Sequence, residues 1–341
     1  MAFEAAGEMT ERGVLRDSFG RTINNLRISV TDRCNFRCTY CMPEQGMVWL
    51  EKSQLLTYEE IVRLTRIFSG LGISKIRLTG GEPLMRRELP RLVSGIASVQ
   101  GIHDIALTTN GYFLPEQASE LVAAGLRRIN ISLDSLDPGH FEEMTRRKYF
   151  DKVWKGIETV DALGIRPIKL NVVLVRGVND GEIGRFAQLA HARPFVIRFI
   201  EFMPIGSDDG WDASKVVPTH EVIGRIEREL KMRLVPVEKH GAQPADTYRT
   251  DDGAGEFGFI SSVSEPFCDH CNRVRITSDG KLRTCLFSLA ETDLRSLMRN
   301  GAGDEEIRES IQRAVLKKEP GHLINQPGFT RPARTMSQIG G

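Results

Sequence analysis

Short apolar runs alternate with longer stretches of helical period along residues 25–205. The runs at 26–32, 75–80, 104–110, 128–134, 168–175 and 195–204 mostly alternate apolar and polar side chains, which predicts strands. Between them, 58–71, 88–99, 116–124, 152–163 and 181–191 repeat apolar residues every three to four positions, which predicts helices. Strands and helices alternating at this spacing build βαβ units and a parallel sheet. Six such units favour an incomplete (βα)6 TIM-like barrel over a closed eightfold one. A flat doubly wound sheet stays open as the alternative, because periodicity alone does not separate the two. Past Pro218 the pattern changes to a helix at 221–231, strand signals at 233–237, 255–261 and 273–286, and helices at 293–300 and 304–317. The turn within 273–286 falls at Ser278, Asp279 and Gly280. The expected organisation is a disordered lead at 1–20, the barrel at 21–210, a C-terminal α+β extension at 211–330 and a tail at 331–341. The main boundary lies in the polar run Gly206, Ser207, Asp208, Asp209 and Gly210.

Strand parity then predicts a polar lumen. Leu26, Ile28 and Val30 share one face, and Arg27, Ser29 and Thr31 the other. Ile76 and Leu78 oppose Lys75, Arg77 and Thr79; Ile105 and Leu107 oppose Ala106, Thr108 and Asn110. Ile129, Ile131 and Leu133 oppose Asn130, Ser132 and Asp134, and Leu170 and Val172 oppose Lys169 and Asn171. Helices cover the apolar face, so the polar face lines the interior. A barrel without an internal ligand fills that space with Val, Ile and Leu. This one would hold Arg27, Arg77 and Lys169, joined by Arg198 from a sixth strand whose own parity is undecided. Buried unpaired cations cost several kcal/mol each. Their convergence predicts a polyanionic ligand; the plainer alternative is that they reach solvent or pair with acids.

Composition narrows the setting. The chain has 341 residues, 40% hydrophobic and 27% charged, with a net charge of +1, as in an ordinary globular protein with no field to attract nucleic acid or membrane. No apolar run approaches the ~18 residues of a membrane-crossing helix. The N-terminus lacks an apolar core, and Glu4, Glu8 and Glu11 argue against a transit peptide. A cytoplasmic protein is expected, with its six cysteines used for metal ligation rather than disulfides.

Those cysteines fall in two triads. Cys34, Cys38 and Cys41 form C-x3-C-x2-C on one short loop. Iron–sulfur cubanes normally take four cysteines, so three leave one iron open. A zinc knuckle is the alternative. Cys268, Cys271 and Cys285 form C-x2-C-x13-C, with Arg273 and Arg275 on one face of a strand beside them. Here the alternative is zinc completed by His270. The paired glycines of Thr79, Gly80, Gly81, Glu82 and Pro83 let backbone approach a ligand closely. The chain ends in Gly340 and Gly341, which by themselves read as a loose tail.

The first triad, followed about forty residues later by the Gly-Gly-Glu-Pro turn, resembles the radical S-adenosylmethionine (SAM) enzymes. Residues 26–33 and 267–275 narrow the likeness to those members that cyclise GTP in the first step of molybdenum cofactor biosynthesis, over about 21–341. The resemblance implies two [4Fe–4S] clusters, on Cys34, Cys38 and Cys41 and on Cys268, Cys271 and Cys285, the second carried by the extension. It implies SAM contacts at Tyr40, Gly81, Ser132 and Met203. GTP contacts are implied at Arg27, Arg77, Thr108, Lys169, Arg198, Arg273, Val274 and Arg275. It assigns the chemical step to Arg273, Arg275 and the terminal pair Gly340 and Gly341, and the product is (8S)-3′,8-cyclo-7,8-dihydroguanosine 5′-triphosphate. The implied partners are a one-electron donor such as flavodoxin or ferredoxin and a downstream cyclic pyranopterin monophosphate synthase; a homodimer is admitted. Two rival readings are a peptide-modifying radical SAM maturase and a zinc-stabilised binding protein.

Overall fold

The computed structural model describes residues 13–43, 45, 47–205, 210–238 and 241–340. The barrel half runs β1 (Asn25–Ser29), α1 (Tyr58–Ser69), β2 (Lys75–Thr79), α2 (Leu89–Ala97), β3 (Asp104–Thr109), α3 (Leu114–Ala123) and β4 (Arg128–Ser132). It continues with α4 (Pro138–Thr145), α5 (Phe150–Ala162), β5 (Ile168–Leu174), α6 (Ile183–Ala192) and β6 (Phe195–Glu201). The remainder holds α7 (Thr219–Leu230), β7 (Leu234–Pro236), β8 (Asp246–Thr250), β9 (Glu256–Ile260), β10 (Arg273–Ile276), β11 (Lys281–Arg283) and β12 (Thr292–Asp293). Helices α8 (Leu294–Arg299), α9 (Asp304–Leu316) and α10 (Met336–Ile339) follow. None of the helices among the described residues is long and apolar enough to cross a membrane.

All these strands form one open sheet in the order β12-β11-β10-β1-β2-β3-β4-β5-β6-β9-β8-β7. β1 to β6 pair in parallel and in sequence order, the six-unit incomplete barrel that the periodicity predicts. The C-terminal chain extends the same sheet at both edges. β10 pairs in parallel with β1, and β9 in parallel with β6. Arg273 and Arg275 therefore enter the barrel's own register, beside Asn25 and Arg27.

The predicted parity holds. Leu26, Ile28, Ile76, Leu78, Leu107, Ile129, Ile131, Leu170 and Val172 belong to one continuous core. Thr57 caps α1 by accepting from the Glu60 amide at 3.1 Å, while Glu60 returns a carboxylate to the Thr57 amide at 2.7 Å. The strands stop earlier than expected: Thr31, Asp32, Gly80, Asn110 and Asp134 leave the ladder and become loop residues at its C-terminal rim. Four elements lie outside the expected set: β8, β12, α4 and α10. β8 lies between β9 and the edge strand β7, and α4 is a short helix between the fourth and fifth units, started by Pro138 and by Asp137 accepting from the Gly139 and His140 amides.

Ile28→Ala should cost roughly 2–5 kcal/mol, because the side chain is fully buried among the helices. Urea unfolding should show that loss, with iron content per folded chain unchanged because Ile28 faces away from the lumen.

Candidate active site

A large cavity opens at the C-terminal ends of the barrel strands, lined by all six cysteines. It encloses about 1780 Å³ counting its open mouth, room for more than one small molecule.

The first triad sits on the loop after β1. That loop is irregular, so its polar backbone needs partners. The Cys41 and Met42 amides both donate to the Cys38 carbonyl, and the Phe36 amide donates to Cys34 Sγ at 3.4 Å. The C-terminal end of α4 holds the loop from outside, its Thr145 and Met144 carbonyls accepting from the Arg37 and Thr39 amides. Arg147 donates to the Asn35 carbonyl, and Arg146 to those of Arg37 and Met42.

Beside this loop the turn after β2 crosses at van der Waals limits. A Cβ on Gly81 would stand 2.4 Å from the Arg33 carbonyl oxygen, so only glycine fits. Two buried carboxylates brace the wall. Glu82 accepts from the Thr109 hydroxyl and from the Asn110 and Leu84 amides, and burial still raises its pKa to about 7. Asp134 accepts from the Tyr40 hydroxyl at 2.5 Å and the Val173 amide at 2.9 Å; burial raises it to about 6. Tyr40, Gly81, Ser132 and Met203 all line the cavity.

Arginines fill the space between the triads. Arg275, Arg27 and Arg77 stand in register on the adjacent strands β10, β1 and β2. Arg198 and Arg275 are buried; Arg27, Arg77 and Arg273 are half-buried and line the cavity. The Nε atoms of all five are buried without a hydrogen-bond partner. Arg77 donates to the Thr108 hydroxyl and Arg198 to Asn130 Oδ1, but neither contact brings a negative charge. Burial, then repulsion from Arg275, Arg273, Arg77 and Arg198, holds Arg27 well below the usual guanidinium range. Burial and neighbouring arginines also lower Arg77 to about 9, Arg198 to about 10 and Arg275 to about 10. The field reaches Lys169, lowered to about 8 by burial and by Arg198, although Lys169 lies beside the cavity wall rather than in it. The Val274 side chain requires a correction to the expected substrate contact. It is fully buried in the helix-facing core opposite Leu26, so only its peptide group is available to a ligand.

Cys268 opens a single 3-10 turn, and Cys285 follows β11. Burial opposes ionisation of Cys271, but Arg273 and Lys318 outweigh it and lower its pKa to about 6. His270 is exposed and does not line the cavity. His322, which no motif marked, does line it: its amide bonds to Cys268, its ring lies 5.2 Å from that of Phe287, and its buried Nδ1 has no partner.

The tail reaches the same space. Met336 and Ser337 line the cavity, and the Ser337 amide donates to the Cys41 sulfur. Gly340, at φ +84°, packs so closely that a Cβ would lie 3.0 Å from both Ser29 and Thr79. Gly341 and residues 1–12 and 206–209 lie outside the described residues. Two soft-donor triads, each with three thiols on one cavity, fit two clusters with an open iron each. The unpartnered guanidinium nitrogens fit a polyphosphate. Glu82, Asp134, Asn171 and His322 were not singled out by sequence reasoning. The first three were visible in part, Glu82 and Asp134 as polar residues just past strand ends and Asn171 by its parity within β5.

Residues 28–190 match the radical SAM superfamily, and residues 195–324 match Molybdenum Cofactor Synthesis C. The GTP 3′,8-cyclase of Pelotomaculum thermopropionicum is 46% identical over 328 residues, covering 96% of this chain and 100% of that one. That of Thermodesulfovibrio yellowstonii is 44% identical over the same coverage of both chains. The structure of Streptococcus suis SuiB bound to S-adenosylmethionine shares the fold, with a TM-score of 0.59 at 14% identity over 92% of this chain and 77% of that one.

Gly81→Ala should weaken SAM binding roughly 10-fold or more, because the added carbon collides with backbone rather than a movable side chain. Equilibrium binding of SAM to the iron-loaded variant would measure this, with the second triad's iron as the internal control.

Proposed function

This chain belongs to the GTP 3′,8-cyclases, radical SAM enzymes of molybdenum cofactor biosynthesis, and we propose how its residues divide the work. Cys34, Cys38 and Cys41 hold the cluster that binds SAM; Cys268, Cys271 and Cys285 hold the second cluster, facing the guanine base. When bound, the first cluster and SAM supply a 5′-deoxyadenosyl radical. Tyr40, Gly81, Ser132 and Met203 surround SAM, with Asp134 fixing the Tyr40 hydroxyl.

The observation that carries the substrate assignment is the set of five buried arginine Nε donors without partners, all on the lumen side of the sheet. Arg27, Arg77 and Arg198, with Thr108 and the field of Lys169, hold the triphosphate. Arg273 and Arg275 lie between that anion and the second triad, next to the ribose and base. Holding GTP at both ends keeps ribose C3′ beside the SAM pocket, and a proximity of this kind supplies much of a radical enzyme's selectivity. Loss of the C3′ hydrogen, bonding of C3′ to guanine C8, and gain of one electron and one proton give a product of the same composition as GTP. Gly340 and Gly341 belong to this step, because Gly340 packs against Ser29 and Thr79 at the cavity's edge, where a Cβ would press on both side chains at 3.0 Å. A flavodoxin- or ferredoxin-type donor supplies electrons, and cyclic pyranopterin monophosphate synthase takes the product.

Anaerobically purified protein should carry about eight irons, four per cubane, and with SAM, dithionite and GTP should yield 5′-deoxyadenosine and a GTP isomer by mass spectrometry. Deoxyadenosine without a GTP isomer would discard the substrate assignment, and zinc in place of iron the clusters. Arg275→Ala should keep both clusters and SAM cleavage but lower cyclised product per SAM roughly 100-fold, the scale of losing one preorganised charge contact. Cyclisation at the parent rate would remove Arg275 from the chemical step.

A further inference from the structure

Residues 318–322 form neither helix nor strand, yet they wrap the second triad. At one end the buried Lys318 ammonium donates to the Thr284 carbonyl, and the Glu319 carboxylate accepts from the Thr284 hydroxyl at 2.8 Å, one residue before Cys285. At the other end a Cβ on Gly321 would lie 3.1 Å from Cys268 Cβ, and the His322 amide bonds to the Cys268 sulfur. One short strap thus touches both ends of the triad.

The strap is fastened by a residue some three hundred positions away in sequence. Arg21 Nη2 donates to the Glu319 carbonyl at 2.6 Å, and Nη1 to the Pro320 carbonyl at 2.7 Å and the Cys268 carbonyl at 2.8 Å. Its Nε donates to Asp17 Oδ2 at 2.5 Å. Asp17 Oδ1 accepts from the Phe19 and Arg21 amides at 3.0 Å each, which fixes the guanidinium before it meets the strap. Arg21 and Asp17 are both buried. A rigid planar fork can hold three carbonyls and a carboxylate at once; a lysine ammonium on a flexible stem cannot reproduce that arrangement.

We propose that Arg21 is a positioning residue for the second cluster: through the 318–322 strap it fixes Cys268 and so aims the open iron at the substrate. Resting on the assignment of Cys268, Cys271 and Cys285 to that cluster, it gives the segment before β1 a part in recognising GTP. A structural role alone would lower stability and both clusters together. A positioning role moves only what the second cluster does with GTP.

The test compares Arg21→Lys, which keeps the Asp17 pair, with the neutral double variant Asp17→Asn/Arg21→Gln, which leaves no buried charge unpaired. Both should retain about eight irons per chain and parent rates of SAM cleavage without GTP. KM for GTP should rise roughly 10- to 100-fold, the usual cost of losing an outer-shell partner. The electron paramagnetic resonance change that GTP induces in the second cluster should shrink or shift. Parent KM and parent spectral response in either soluble variant would overturn the proposal, as would equal loss of iron from both triads. A single cluster in the unmodified protein would instead remove the assignment on which it rests.

Discussion

Like charges packed together without counterions are the constraint around which this molecule is built. Arg27, Arg77 and Arg275 occupy one row across three neighbouring parallel strands, and Arg198 and Arg273 add to the same field. Such an arrangement costs the empty protein stability, since each desolvated cation lacks compensation. It persists because the sheet on the other side buries an uninterrupted apolar core that fixes the register. The five Nε donors are thereby left fixed in place and unpartnered.

The metal-binding loops depend on a different use of the same side chain. Apart from the single 3-10 turn at Cys268–His270, the cysteine loops are irregular, so their carbonyls need donors from elsewhere. Arg37, Arg146 and Arg147 supply them around the first triad, and Arg21 around the second. Lumen arginines keep their Nε donors without a partner, whereas rim arginines spend donors on backbone carbonyls. The two groups are indistinguishable by residue type and separate only by where the chain places them.

The C-terminal chain closes the design by joining the sheet at both edges. β10 enters beside β1, bringing Arg275 into line with Arg27, while β9 extends the far side next to β6. The tail returns across the rim, where Arg334 grips Asp279 and Glu291 and Ser337 reaches Cys41. The first and second cysteine triads thereby share one cavity.

The sequence by itself determined the βα repeat, the parity that sends Arg27, Arg77 and Lys169 inward, and the two cysteine triads. These are local signals: strand period is two, metal ligands cluster by spacing, and glycine pairs mark close approach. It was silent on α4, whose eight residues carry too few apolar positions to show a period, and on β8, whose five residues include no aliphatic side chain. Parity already put Val274 on the face opposite Arg273 and Arg275, which leaves its peptide group, not its side chain, for a ligand. Tertiary structure alone decided that β10 lies against β1, that Arg21 meets Cys268, and that His322 and Ser337 reach the thiols. Those contacts join residues from about 50 to 300 positions apart, and no local pattern encodes a partner that only chain closure brings near.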